Sequence, residues 1–205
     1  MARTPGSPDL RGWVEALRSV APGLAVEEVA VAGPPVSGAL RAAGWAEGAV
    51  VVAALDAAGT VGIVDGRLVT GHPVTGHPVT VRSPAGARAT AVVAPSGSVQ
   101  VSVAAGEVLD DVVLRSYALG AVHQALGWVR TEGIAVDDTG AVLDLTVRSF
   151  GIIAARDMPE VEIVVEDGAG PPVPGGDTVF AAVAAAAWLA AGLPPRWPVD
   201  PGGTR

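Results

Sequence analysis

Apolar and polar positions near the amino terminus follow the spacing of an amphipathic helix. The apolar positions recur every three or four residues; they are Leu10, Trp13, Val14, Leu17 and Val20. Ser7-Pro8-Asp9 supplies an N-cap residue, a proline for the first helical position and an acid for the first turn. Since Pro22-Gly23 ends the pattern, we predict a helix that begins near Pro8 and ends near Val20.

Short runs of β-branched and apolar residues predict strands through much of the remaining chain. The predicted strands are 24–31, 49–55, 60–64, 67–70, 80–81, 87–94, 99–103 and 161–165, with a hairpin between 134–136 and 141–145 and an extended segment at 147–153. Asp65-Gly66 and Ser96-Gly97 are dipeptides typical of hairpin turns. Residues 36–44 are mostly small and fit neither the helical nor the strand period.

Two stretches predict helices in the second half of the chain. The first starts at Asp111, and its larger apolar positions and Gly120 are predicted to lie largely on one face: Val112, Val113, Tyr117, Leu119, Gly120, Val122 and Leu126. A glycine in the middle of a helix costs up to about 1 kcal/mol relative to alanine, so Gly120 implies a packing or ligand requirement. The second helix, about Asp177 to Ala191, is rich in alanine. The two helices can pack against each other or against another chain, and the fold class is α+β.

Composition limits the functions that the chain can have. The formal charge of −8 argues against nucleic acid and anionic membrane surfaces as partners. The absence of cysteine excludes disulfides, thiolate nucleophiles and iron–sulfur ligation by this chain. The longest apolar run, Val179 to Leu193, is shorter than the roughly 20 residues that cross a bilayer. We therefore expect a cytoplasmic protein without a membrane partner.

A direct repeat, GHPVT at 71–75 and again at 76–80, places two histidines five residues apart. Two histidines can begin a metal site, but each is followed by proline and neither has an acid or cysteine beside it. We interpret the repeat as a small duplication tolerated in a surface loop, and predict no metal site.

The order of motifs from residue 80 to 197 resembles the C-terminal molybdopterin-binding region of the large subunit of the xanthine dehydrogenase/aldehyde oxidase family. The family helix reads R-G-Q-I-E-G-G-x-x-Q-G-x-G-W-A-x-x-E. In this chain Arg115, Gly120, Gln124, Gly127-Trp128 and Glu132 are in step with it. The segment 106–110 resembles the family's G-x-x-I-N-P turn, and 157–163 resembles its D-x-P-x-I-x-V element.

The resemblance implies a fold, a cofactor and partners. The fold is that of the family's second molybdopterin-binding domain: antiparallel strands, a central helix of small residues and an alanine-rich C-terminal helix. Gln124 matches the family residue that contacts the pterin, so the implied cofactor is molybdenum-molybdopterin. The implied contacts are Gln124, Gly120 and Gly127 on the helix and Gly175 and Gly176 in the glycine-rich loop. The implied partners are the other subunits of a molybdenum hydroxylase.

The chain departs from the family where the catalytic base should lie. The family has a glutamate in a G-x-x-K-G-x-G-E segment, whereas residues 170–177 read GPPVPGGD. Asp177 lies nearest to that glutamate and is the candidate catalytic residue, but it also suits the N-cap of the alanine-rich helix. His123 is expected to be a hydrogen-bonded histidine on the helix surface and not a ligand.

These observations lead to two functional hypotheses, together with a third in which the resemblance is accidental and the chain is an unrelated small α+β binding domain. In the first, residues 80–197 form a molybdopterin-binding-like region of a multi-chain hydroxylase, and the chain is not active alone. In the second, the chain is a relative that has lost the cofactor and acts as a binding or assembly module. Residues 1–79 form an N-terminal α+β segment that resembles nothing we can name, and 198–205 are expected to be a flexible tail.

Overall fold

The computed structural model describes residues 2–3, 11–27, 29–30, 38–64, 67–72, 74–143 and 146–199. Within these ranges the elements are, in chain order, β1 (Ala2–Arg3), α1 (Arg11–Val20), β2 (Val29–Ala30), α2 (Gly38–Ala58), β3 (Thr60–Val64), β4 (Arg67–Thr70), β5 (Val79–Arg82), β6 (Arg88–Val93), β7 (Val99–Ala104), α3 (Asp111–Arg130), α4 (Val147–Phe150), β8 (Val161–Glu166) and α5 (Gly176–Ala190). A 3₁₀ turn at Ala155–Asp157 precedes β8. The mixture of helices and strands confirms the predicted α+β character.

The main sheet has the strand order β5-β6-β7-β8. The expected antiparallel pairing is confirmed for β5, β6 and β7 but is wrong for β8, which lies parallel to β7 after the α3 crossover. Because side chains alternate between the faces of a strand, one face of the sheet is buried. Its most buried residues are Val79, Val81, Ala89, Ala91, Val93, Val99, Val101 and Val103.

The opposite face of the sheet is polar and open. Gln100 donates from Nε2 to Glu162 over 3.0 Å, and the Arg88 guanidinium forms an ion pair with Glu166. Ala104 lies between Arg88 and Glu166 in the register, so a methyl side chain leaves room for this pair to reach across β7. This face is therefore stabilised by cross-strand polar pairs and not by a covering layer.

Helix α5 is the centre of the core. It packs against α2, α3 and the inner face of β5, β6 and β7. Residues 181–187 are all buried, and six of these seven are alanine. A helix surrounded on all sides must be apolar all round, and small side chains allow its neighbours to approach closely. Of the two alternatives for α3 and α5, the structure shows that the two helices pack against each other.

The predicted apolar face of α3 is mostly wrong. The buried positions are Ala118, Ala121, Val122, Ala125, Leu126, Gly127 and Val129. Val112, Val113, Tyr117 and Leu119 are exposed. The alanines face α5 because close packing against a thin alanine-rich helix requires small side chains. The larger apolar residues consequently lie on the opposite, outer face of α3.

Two predicted extended segments are helical. Residues 49–55 lie inside α2, whose buried positions Val50, Ala54, Leu55 and Ala58 recur at helical spacing. Residues 147–150 form α4, whose N-cap Thr146 accepts a hydrogen bond from the Ser149 backbone amide. Short apolar runs do not distinguish a strand from a buried helix by period, and the alanines that flank Val50–Val52 favour the helix.

The remaining strand predictions vary in accuracy. The pairing of β3 with β4, the β5-β6-β7 meander and β8 are confirmed. The predicted hairpin after α3 consists of one isolated bridge, Val136 to Val142, and its residues 144–145 lie outside the described residues. Of the predicted strand 24–31, only Val29–Ala30 is a strand, and 28 and 31 lie outside the described residues.

The buried core spans both sides of the boundary predicted near residue 79. Leu17, Ala21 and the buried positions of α2 belong to the same apolar cluster as the sheet and α5. The start of the predicted first helix, residues 7–10, and most of the predicted tail lie outside the described residues. The division into 1–79, 80–197 and 198–205 stays a prediction. Among the described residues, no helix combines the length and apolar character needed to cross a membrane.

Candidate functional site

The candidate site is built around α3, and its first motif residue, Arg115, has a structural role. The Arg115 Nε donates to the Asp111 carboxylate over 2.6 Å, and its Nη1 donates to the backbone carbonyl of Ile163 in β8. Strand β8 is at the edge of the sheet, where unpaired carbonyls would otherwise attract another strand. Arg115 therefore ties α3 to this edge.

Gly127 and Glu132, two further motif residues, contact each other. A β-carbon added at Gly127 would lie 2.2 Å from Oε1 of Glu132. The backbone amide of Glu132 also donates to the Gly127 carbonyl over 2.8 Å. Gly127 is buried, and its missing side chain leaves the space that the Glu132 carboxyl group occupies. Gly127, proposed from the resemblance as a cofactor contact, thus packs inside this chain.

Burial raises the pKa of Glu132, and the nearby His123 acts in the opposite direction. His123 Nε2 lies 2.7 Å from the carbonyl oxygen of Ile153, so this histidine is hydrogen-bonded, as the sequence predicts. The segment that contains Ile153 thereby runs beside the C-terminal half of α3. The Thr131 hydroxyl donates to the Gly151 carbonyl over 2.6 Å and fixes the same segment.

Replacing Glu132 with glutamine is expected to change the pH dependence of stability. Because the folded-state pKa of Glu132 is raised, its contribution to stability is full below the unfolded pKa and is lost as pH rises through the folded value. Glu132→Gln has no such loss. Its Tm relative to wild type should increase between about pH 4 and pH 7. A Tm difference that is constant across this range, or equal to that of the exposed control Glu160→Gln, would contradict the assignment.

Trp128, which follows Gly127 in the motif, is part of an aromatic cluster. Its ring lies 4.3 Å from Trp197 and 5.3 Å from Phe180, measured between centroids. Trp197 also contacts Trp188, whose indole N–H donates to the Pro194 carbonyl over 2.9 Å. These contacts fasten the segment after α5 to the C-terminal end of α3, so Trp128 too has a structural role.

Gly120 and Gln124 are the two helix-motif residues that this chain does not use internally. Both are exposed, and they lie one turn apart on the outer face of α3. A β-carbon at Gly120 would have no non-local atom within 4 Å. Within the part of the chain that the structure describes, the Gln124 amide makes no hydrogen bond. Within the described chain, no close neighbour explains a glycine at position 120, and no hydrogen bond explains a glutamine at position 124.

The glycine-rich loop packs against the turn between β7 and α3. The Glu107 amide donates to the Gly170 carbonyl, and the Val173 amide donates to the Ala105 carbonyl, each over 3.0 Å. A β-carbon at Gly175 would lie 3.2 Å from a Val103 methyl group. Gly175 is buried and serves this close packing. Gly176 has open space where a side chain would lie.

The prediction that Asp177 is the N-cap of α5 is wrong. The N-cap is Gly175, which makes no side-chain cap bond, and Asp177 lies in the first turn. Its Oδ1 accepts from the Thr178 backbone amide over 2.7 Å and from the Thr178 hydroxyl over 3.1 Å. The helix begins earlier, at Gly176, after Gly175 has packed closely against Val103. Asp177 still brings a carboxylate to the positive end of the helix dipole.

The structure does not bring the two predicted halves of the cofactor site together through internal contacts. Gly175 packs near Leu114, in the first turn of α3. Gln124 lies ten residues further along the helix, about 15 Å at 1.5 Å per residue, where its side chain is exposed. The fit to a molybdopterin is thus confined to Gly120 and Gln124. The start of α5 fits its pyrophosphate poorly, because the Asp177 carboxylate already lies there and bonds the Thr178 amide.

The histidine repeat forms a local stack. The rings of His72 and His77 lie 5.5 Å apart, with 7° between their planes. A β-carbon at Gly59 would lie 2.6 Å from the His72 ring, so the loop packs against the end of α2. Among the described residues, no group of three or more histidine, aspartate or glutamate side chains is arranged to hold a metal ion.

Comparisons with known proteins give a coarse likeness of fold. The chain is similar to quinoline 2-oxidoreductase from Pseudomonas putida 86, with 20% identity over 57% of this chain and 16% of that one, at a TM-score of 0.42. It is also similar to the reconstituted CO dehydrogenase from Oligotropha carboxidovorans, with 13% identity over 56% of this chain and 15% of that one, at a TM-score of 0.43. A structure of the Cu,Mo-CO dehydrogenase matches with the same identity, coverage and TM-score.

This chain spans less than a fifth of the length of each matched protein, so most of each matched protein has no equivalent in this chain. No family model and no curated protein matches the sequence. The comparisons therefore assign no substrate, cofactor or partner to this chain.

Proposed function

We propose that this chain is a subunit of a multi-chain molybdenum hydroxylase, in which the outer face of α3 forms one wall of the molybdenum-molybdopterin site. The observation that carries the proposal is the exposed pair Gly120 and Gln124. Arg115, Gly127, Trp128 and Glu132 are each explained by contacts within the chain. Gly120 and Gln124 match the same motif and have no such explanation.

The cost of placing glycine inside a helix supports an external contact at Gly120. Glycine in a helix interior costs about 1 kcal/mol relative to alanine, and no neighbour within the described chain requires its small size. A bound group that approaches the helix backbone would require it. Gln124, one turn away, offers an amide donor and an amide acceptor to the same group.

In this proposal the catalytic residues belong to other subunits of the hydroxylase. When bound, the molybdenum cofactor supplies the redox chemistry, and the protein supplies binding and orientation. Asp177 is engaged with Thr178 at the start of α5, and the proposal assigns it no catalytic role. A partner subunit would bind the pyrophosphate of the cofactor and would supply the catalytic base.

One observation favours a second candidate function. The carboxylate of Asp177 at the N-terminus of α5 opposes an anionic ligand at the position where the resemblance would place the glycine-rich loop against the cofactor. The second candidate is a cofactor-free relative that acts as a binding or assembly module. It shares the fold and the exposed outer face of α3, and it predicts no molybdenum in the assembly.

Substituting Gln124 tests the first proposal. Gln124→Ala should lower the molybdenum retained per chain by about two- to tenfold, the effect of losing one hydrogen bond between neutral groups. Folding should be unchanged, because the residue is exposed and alanine favours helices. The measurement is molybdenum per chain by mass spectrometry on the assembly isolated from its native host, with Tm as the stability readout.

The matched control for this substitution is Gln100→Ala. Gln100 is also exposed but lies on the open face of the sheet, bonded to Glu162. The control should retain wild-type molybdenum. Equal molybdenum in wild type, Gln124→Ala and Gln100→Ala would exclude Gln124 as a cofactor contact.

A further inference from the structure

The outer face of α3 continues into an exposed apolar surface. Of the fourteen large apolar side chains that are exposed in the described residues, eleven lie between Leu109 and Ile152. Leu109, Val112 and Tyr117 are 76%, 72% and 69% exposed. Soluble monomers rarely expose apolar residues in such a concentration, and extended patches of this kind mark interaction sites.

The segment after α3 folds back along the helix and adds its exposed apolar residues to those of α3. The hydrogen bond between His123 and the Ile153 carbonyl places that segment one turn from Leu119. The Gly133 amide donates to the Phe150 carbonyl over 2.9 Å and holds the other end of the segment against the end of α3. We call this surface the α3 face; its exposed apolar residues are Leu109, Val112, Val113, Tyr117, Leu119, Ile134, Val136, Val142, Leu143, Phe150 and Ile152.

The rim of the α3 face is acidic. Glu107, Asp110, Asp137 and Asp138 are exposed around it. Hydrogen bonds from Thr139 and Ala141 lower the pKa of Asp137, which holds its negative charge. Of the nearby arginines whose side chains the structure describes, Arg115 pairs with Asp111, Arg156 lies 3.7 Å from Asp157, and Arg130 is partly buried.

The charge of the rim decides between two occupants. A second copy of this chain would bring acidic rim against acidic rim, and like charges across an interface cost several kcal/mol. A polypeptide whose apolar surface is bordered by arginine or lysine would complement both the apolar centre and the rim. The total charge of −8 on this chain points the same way.

We propose that the α3 face docks a different polypeptide that presents an apolar surface with a basic rim. The inference rests on the proposed function only in identifying that polypeptide as another subunit of the same assembly. The docking surface itself follows from the exposed side chains and their charges. Because Gly120 and Gln124 lie beside Tyr117, the docked chain would close over the wall described above.

The test uses the full-length tagged chain purified from its native host at low salt. Variants Tyr117→Glu and Val112→Glu place a charge on the α3 face without disturbing buried residues. The control Val164→Glu alters an apolar residue of 48% exposure on the open face of the sheet. The readouts are the amount and identity of the co-purified polypeptide per chain, the mass by light scattering, and the molybdenum content.

The proposal predicts one polypeptide near 1:1 with wild type and with Val164→Glu, reduced at least tenfold by either α3-face variant. Its retention should fall when NaCl is raised from about 50 mM to 500 mM, since salt screens rim charges. A wild-type homodimer dissociated by the same variants, a partner retained equally by all variants, or a chain that retains no polypeptide would each overturn it. The molybdenum content distinguishes the cofactor-site proposal from the docking proposal. A co-purified polypeptide without molybdenum would contradict the cofactor site and leave the docking surface supported.

Discussion

Gly106→Ala is expected to lower the free energy of unfolding by roughly 2–5 kcal/mol, through backbone strain and overpacking together. Gly106 has a φ of +74°, a conformation that costs a residue with a β-carbon about 1–2 kcal/mol. The added β-carbon would also lie 2.1 Å from the Pro171 carbonyl oxygen and 2.8 Å from its carbon. Both atoms belong to the backbone, so no side-chain rotation relieves the collision.

The same substitution should detach the glycine-rich loop, because the Glu107–Gly170 hydrogen bond lies at the point of collision. Denaturant unfolding and Tm measure the effect, and Tm should fall by roughly 5–20 °C for a domain of this size. Gly97→Ala is the matched control: its φ is +89°, but nothing lies within 4 Å of the added β-carbon. Equal losses in the two variants would show that the Gly106–Pro171 contact is absent.

Leu126→Ala is expected to destabilise the chain by about 2–5 kcal/mol, the usual range for deleting a buried leucine side chain. Leu126 is 0% exposed and lies on the face of α3 that packs against α5. Since α5 is built largely from alanine, few flexible side chains are available to fill the cavity. The residual volume, and with it the loss of stability, should therefore be near the upper part of that range.

Leu119→Ala on the same helix provides the contrast, because Leu119 is 48% exposed. Surface substitutions of this kind usually change stability by less than about 0.5 kcal/mol. Chemical denaturation of both variants measures the difference. Similar losses at positions 119 and 126 would mean that the large apolar residues of α3 face the core, as the hydrophobic pattern alone predicts.

The elements with clear local signals could be predicted from the sequence. Alternating side chains and turn dipeptides defined the hairpins of β3–β4 and β6–β7, and the alanine run defined α5. Helix α2 was missed because Val50–Val52 has high strand propensity. The flanking alanines are a local signal for a helix, and packing against α5 stabilises it. Thr146, which caps α4, is a local signal that could have identified that short helix.

The candidate site was harder to predict, because matching a motif does not tell which residues are used for folding. Gly127 and Gly175 matched a cofactor-binding pattern, and both pack inside the chain. Tyr117 was expected on the buried face of α3 but is exposed, because the alanines of α3 make the close contact with α5. The acidic rim and the exposed apolar residues were visible in the sequence as residue types, but their common surface depends on the hydrogen bond between His123 and Ile153.

The most direct test of the proposed function is the molybdenum content of the tagged wild-type chain isolated from its native host with its co-purified subunits. We predict close to one molybdenum per assembled chain, reduced when Gln124 is replaced by alanine. An assembly that contains this chain and its partner polypeptide without molybdenum would contradict the cofactor-site proposal and support the cofactor-free assembly module.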